Sequence, residues 1–219
     1  MSVILDVNYL QMDYSIETFK NELLSLNIKD NYHQYLLGNS VWYFEKYLNI
    51  SNPSEEYDSF KSYIAGKFDL PFNNVAIVGS AKLGFSIAPD NNLSMFRIED
   101  SSEKKASDID LVLVSSSYFN IFWEEYLNKN FSNCFIKDLP YVRKCIYRKF
   151  ITFCGFDSSD NKYNEWMQRT ANYQKELQEE FHIKHKVNYL IFESWEAAEK
   201  YYCNNLKQMQ ENIRSEMYA

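Results

Sequence analysis

Glycine and proline are scarce in this sequence, with 5 Gly and 4 Pro in 219 residues. That scarcity excludes collagen-like and low-complexity chains, and a hydrophobic content of 46% argues against extended disorder. The four cysteines, Cys134, Cys145, Cys154 and Cys203, show neither CxxC spacing nor zinc-like spacing with the three histidines His33, His182 and His185. They read as reduced thiols, and the His182/His185 pair reads as a polar turn entering a strand at Val187. Positive charge is not in excess: a net charge of −7 argues against a dedicated duplex-binding protein. No apolar run approaches the roughly 20 residues that span a bilayer, and residues 1–6 lack the basic and apolar regions of a secretory signal. The expectation is a cytoplasmic chain without a membrane partner.

Aromatic residues, in contrast, are abundant, with 18 Tyr and 16 Phe. Most are expected to pack the core, since large rings contribute heavily to burial. The length suits one substantial core or a catalytic lobe with a helical companion.

Residues 75–115 carry the chemistry. An apolar run, Val75-Ala76-Ile77-Val78, breaks into Gly79-Ser80-Ala81-Lys82-Leu83-Gly84-Phe85-Ser86. A second run follows as Ser107-Asp108-Ile109-Asp110-Leu111-Val112-Leu113-Val114. Side chains alternate along a strand, so Asp108 and Asp110 project from one face, about 7 Å apart, while Ile109 and Leu111 enter the core. Two such carboxylates suit a hard divalent cation, Mg²⁺ or Mn²⁺, whose shell is completed by water and phosphate oxygens. Gly79 permits a sharp turn with exposed amides and no Cβ in the way of a phosphate. Ser80 adds a hydroxyl, Lys82 a positive charge, and Ser107 stands beside the aspartates. Taken singly, an Asp-x-Asp or a Gly-Ser is a weak signal, and the order of the two on apolar strands is what carries the reading.

This order resembles the nucleotidyltransferase superfamily that includes DNA polymerase beta. In its short Gly-Ser turn and Ser-Asp-Ile-Asp strand, the chain is most similar to stand-alone bacterial nucleotidyltransferases of anti-phage defence loci, among them the Hailong type. The resemblance covers about half the chain, chiefly residues 73–131 and 184–195. It implies an α/β (α+β) fold with a small mixed sheet. It also implies Mg²⁺-dependent transfer of a nucleotidyl group from an NTP or dNTP to a hydroxyl, with Asp108 and Asp110 as catalytic metal ligands. An oligonucleotide-type signal, a protein or tRNA, or a small molecule is the acceptor or product it allows. A short single-stranded product, an effector protein from the same locus and a homo-oligomer are the partners it suggests.

Two departures from the pattern matter. The interval from Ser80 to Asp108 is longer than the family's, with residues 88–106 forming a polar loop or hairpin that carries Arg97, Lys104 and Lys105. A third carboxylate is not evident. In the strand Lys186-Val187-Asn188-Tyr189-Leu190-Ile191-Phe192-Glu193, Asn188 stands where an acid is expected, and it brings no charge and is a poor base. Asp138, ahead of Pro140, is an alternative acid that also reads as a helix N-cap. The missing acid keeps a competing class open: a protein with this fold that binds nucleotide without transferring it.

Around this core the patterning predicts a helical portion over residues 1–70 and a core with a C-terminal helix over 71–219, together one compact unit. Ser15 caps a first helix, residues 32–48 form a second with an aromatic stripe of Tyr35, Trp42, Tyr43 and Tyr47, and a third runs from Pro53 to Ile64. Helices are further expected at 116–131, 141–150, 163–181 and 195–217, with Ser194 capping the last. Arg143, Lys144, Arg148 and Lys149, set among Tyr141, Tyr147 and Phe150, form a basic and aromatic cluster. It reads either as a solvated helix face or as a surface for a triphosphate or single strand. Tyr218, on the terminal tail, is a candidate hydroxyl primer for the first nucleotide.

Overall fold

The computed structural model describes residues 14–100 and 105–217. Tyr218 and Lys104 lie outside the described residues. The apolar run at Val75–Val78 forms β1, and the aspartate run forms β2 (Ile109–Val114). The two pair antiparallel with Val78 opposite Asp110. Strand β4 (Val187–Phe192) lies parallel to β2 with Asp110 opposite Asn188. A two-residue strand, β3 (Phe150–Ile151), completes a mixed sheet of order β1-β2-β4-β3. The fold is therefore mixed α/β with a small four-stranded sheet.

Both faces of the sheet are covered, and strand alternation decides which side chains go where. On one face Ile77, Ile109, Leu111, Tyr189 and Ile191 pack with Tyr43, Phe44, Phe60 and Ile64 from helix α3 (Pro53–Phe68) and the segment before it. On this side Phe68 has Tyr118, Trp166, Tyr173 and Tyr189 around it, with ring centroids 5.0–6.1 Å away. On the other face Val78, Val112, Val114 and Phe192 pack with Phe19 and Leu23 of α1 (Ile16–Ser25), and with Tyr202, Leu206 and Met209 of the last helix. Both cores draw on residues 14–70 and on the sheet, so the helical portion is part of the same packed body.

Local signals explain several boundaries. Ser15 accepts the Thr18 amide at the start of α1, and Ser115 accepts the Tyr118 amide at 3.2 Å to start α5 (Ser116–Phe131) directly after β2. Ser194 likewise receives the Ala197 amide at 3.3 Å where α8 (Trp195–Met217) begins. Helix α7 (Asn161–Phe181) follows the polar break near residue 155.

Two expectations are corrected. The helix predicted over 32–48 is broken: α2 (Ile28–Tyr32) runs into a π-helical turn at His33–Leu37, the backbone extends at Gly38, and a second π-helical turn forms at Tyr43–Tyr47. Gly38-Asn39-Ser40 breaks the helical period locally, and the extended Gly38 carbonyl accepts a hydrogen bond from the buried Lys82 side chain. The helix predicted over 141–150 is instead α6 (Leu139–Tyr147), and the chain then turns through Lys149 at φ +60° into β3. Short helix α4 (Gly79–Leu83) follows β1.

Candidate functional site

The site forms where β1 ends against the start of β2. Gly79 adopts φ +65°, and a Cβ there would stand 3.1 Å from Asp110 Oδ2. Only glycine combines this left-handed conformation with so close an approach of backbone to carboxylate. Asp108, just ahead of β2, is exposed, while Asp110 is recessed. Asn188, brought alongside by the parallel register, donates its Nδ2 hydrogen to Asp110 Oδ1 at 3.0 Å. Burial raises the Asp110 pKa above the usual carboxylate range; the Asn188 hydrogen bond opposes that shift and the Asp108 charge adds to it.

These residues open onto a cavity of about 320 Å³ lined by Gly79, Ser80, Ser107, Asp108 and Asp110. Its opposite walls come from two elements. The segment between α4 and β2 folds back on itself, with Phe85 bridging Met95 and the Ser86 amide donating to the Ser94 carbonyl at 2.8 Å. It contributes Ser86, Ser94 and Arg97 to the wall. The Arg97 amide donates to Ser107 Oγ at 3.0 Å, the Ser107 amide returns to the Arg97 carbonyl at 2.9 Å, and Arg97 Nε donates to the Lys105 carbonyl at 2.8 Å. The insert thus places Arg97 in the wall of the cavity that the aspartates line. Helix α8 supplies Tyr201, Tyr202 and Asn205. The Tyr202 hydroxyl is buried without a hydrogen-bond partner among the described residues, and its pKa is pushed well up by burial, so it stays protonated as a donor.

The sequence-predicted residues divide clearly. Gly79, Ser80, Ser107, Asp108 and Asp110 share one cavity, and Asn188 touches Asp110. Lys82 is a correction: its side chain is fully buried and turned away from the cavity, donating to the Gly38 carbonyl, with Nζ 5.5 Å from the Tyr57 ring centroid. Burial holds its pKa down to about 7, and its place outside the cavity lining is what removes it as a phosphate ligand in this arrangement. Asp138 occupies the N-cap position of α6 through its backbone carbonyl only, and it lies outside the cavity. Glu193 pairs with Lys149 at 2.5 Å instead of approaching the aspartates. His185 sits in the expected turn ahead of β4. It is buried, with Nδ1 2.8 Å from the Tyr43 hydroxyl and Nε2 2.9 Å from the Ile98 carbonyl, so it ties the insert to the helical portion.

Tyr201, Tyr202 and Asn205 escaped the sequence reading because nothing in α8 marks them. Their proximity to Asp110 arises from the way α8 crosses the sheet.

The residues present fit a divalent cation in their chemistry. Two carboxylates and an amide converge, and Gly79 leaves the space beside Asp110 Oδ2 free of a side chain. Among the described residues, no three His, Cys, Asp or Glu side chains cluster as a complete protein-only metal cage. No helix among them is long and apolar enough to cross a membrane. No family model, curated protein or solved structure matches the chain.

Proposed function

We propose that this protein is a divalent-metal-dependent nucleotidyltransferase, taking an NTP or dNTP in the cavity between the Gly79-Ser80 turn and Asp108/Asp110. The observation that carries the reading is the convergence of a left-handed glycine turn and a recessed carboxylate 3.1 Å from that glycine's Cβ position, in one cavity with Arg97 and Ser80. A turn without a Cβ and with a hydroxyl suits phosphate oxygens, and Arg97 adds a planar cationic donor. Asp108 and Asp110 would hold Mg²⁺ or Mn²⁺, which neutralises triphosphate charge and stabilises the departing pyrophosphate. In the transfer, an acceptor hydroxyl oxygen bonds to the α-phosphorus and the bond to the bridging oxygen breaks. Pyrophosphate leaves with its electron pair, and the hydroxyl proton passes to solvent. An oligonucleotide-type product, in the setting of anti-phage defence that the sequence resemblance implies, is the acceptor class this reading favours.

One observation favours a second reading, nucleotide binding without transfer. Asn188, opposite Asp110, contributes a neutral amide where a third carboxylate would strengthen the metal site and supply a base.

The test is incubation of the purified chain with each α-labelled rNTP and dNTP and Mg²⁺ or Mn²⁺, beside an Asp108→Ala/Asp110→Ala variant. Transfer predicts label in an oligomer, in the protein or in an added acceptor that disappears in the variant. Metal-dependent nucleotide binding with no label transferred supports the second reading, and absence of both overturns the proposal.

A further inference from the structure

Beside the first cavity lies a second of about 540 Å³, and Tyr201 lines both. This aromatic residue of α8 is the one that the two linings share. The second cavity is bordered by Tyr147, Arg148, Lys149, Ser194 and Lys200, with one acid, Glu196, also in its lining. Their placement follows from the end of α6. Tyr147 closes the helix, Arg148 caps it, and Lys149 takes φ +60° to enter β3, which pairs with β4. The three side chains are therefore presented by a turn anchored in the sheet.

The chemistry of this wall is that of a nucleic-acid surface. Arg148 has no ion-pair partner among the described residues, and its guanidinium carbon lies 6.0 Å from the Tyr201 ring centroid. Lys149 and Lys200 pair with Glu193 and Glu196 at 2.5 and 2.6 Å, contacts at an exposed rim that contribute little and exchange readily for phosphate. Tyr147 is 89% exposed, so its ring is open to stacking by a base. A cationic and aromatic wall is notable on a chain whose net charge is −7.

We infer that this second cavity is the acceptor and product subsite: it holds the end of a short single-stranded nucleic acid, with Arg148 and the lysines on its phosphates and Tyr147 stacked on a base. The strand's terminal hydroxyl reaches Asp108 and Asp110 past Tyr201. This inference rests on the transferase reading of the first cavity.

Its test measures the two cavities separately. Binding of 5′-fluorescein-labelled dT8 and rA8 is followed by anisotropy at low and high salt, and binding of a fluorescent non-hydrolysable triphosphate with Mn²⁺ is followed in parallel. Wild type, Tyr147→Ala, Arg148→Gln and the double variant are compared. The expected result is salt-sensitive oligonucleotide binding that weakens by about tenfold in each single variant and further in the double, with triphosphate affinity unchanged within about twofold. Oligonucleotide binding that is absent from wild type, or indifferent to both substitutions, overturns the inference while normal triphosphate binding leaves the first cavity's reading intact. Failure of wild type to bind triphosphate overturns both. Thermal unfolding of the variants identifies any that have lost the fold, and in that event Lys200→Gln, on the far wall, serves as the substitute with the same expected weakening.

Discussion

Gly79 and Asn188 are the two residues on which the site's character turns. At Gly79, a substitution to alanine meets both an unfavourable left-handed conformation and the Asp110 carboxylate. The Gly79→Ala variant is expected to lose about 1–2 kcal/mol of stability and to lose metal-dependent triphosphate binding, measured by denaturation and by fluorescence titration. Unchanged triphosphate affinity in this variant would separate the turn from the nucleotide. At Asn188, the amide now donates to Asp110. Asn188→Asp replaces that donor with a third carboxylate, so the variant is expected to bind Mn²⁺ about tenfold more tightly and to be less stable without metal because like charges face one another. Weaker Mn²⁺ binding would mean that the Asn188 amide itself is required. These residues were legible in the sequence to different degrees. The Gly-Ser turn, both aspartates and the position of Asn188 are visible from strand alternation and from order along the chain. The burial of Lys82 is not, because a lysine three residues beyond a glycine turn carries no local mark of the direction its side chain takes.

Capping residues made some elements readable, and long-range contacts made others unreadable. Helix α5 begins at the expected Ser116, and the Ser115 hydroxyl that accepts the Tyr118 amide there is a local device. Ser115→Ala is expected to cost about 1 kcal/mol of stability, read from the shift of a denaturant midpoint, because Ser115 is buried and leaves the Tyr118 amide without its acceptor. A shift indistinguishable from zero would show that β2 and α5 are held by packing alone. Strand β3 was missed because two residues cannot announce a strand; Phe150 and Ile151 are extended only because they pair with Phe192 and Ile191. The break at Gly38 had a local mark in Gly38-Asn39-Ser40 that the aromatic stripe obscured, and the bond from Lys82, 44 positions later, holds the Gly38 carbonyl there. The wall that α8 gives the cavity belongs here too: a 23-residue helix is easily read, while which of its side chains meet Asp110 depends on its crossing of the sheet.

Across the whole molecule, the buried Lys82 joins the helical portion to the sheet and should leave a signature in the pH dependence of stability. Its folded pKa is held down to about 7 by burial, with Glu45 opposing and Lys61 reinforcing the shift, whereas the unfolded chain keeps this proton to above pH 10. Between about pH 7 and 9.5 the unfolded state therefore binds more protons at this site than the folded state, and stability contributed by Lys82 rises with pH in that window. Cys145, Cys154 and Cys203, whose folded pKa values burial raises, act in the opposite direction near the top of the window. The comparison that isolates Lys82 is wild type against Lys82→Met, by denaturation at pH 6.5 and pH 9. The difference in stability between the two proteins should shift in favour of wild type as pH rises, and a difference independent of pH would contradict the assignment.

Asp108 and Asp110, with the Gly79-Ser80 turn, are proposed to form a site where metal and triphosphate bind together. The most direct test is Mn²⁺ binding followed by electron paramagnetic resonance, with and without a non-hydrolysable triphosphate, for wild type and for an Asp110→Ala variant of verified fold. Triphosphate is expected to tighten Mn²⁺ binding in wild type, and this enhancement is expected to be lost in the variant. Equal Mn²⁺ binding in both proteins, with no enhancement by triphosphate, would contradict the proposal.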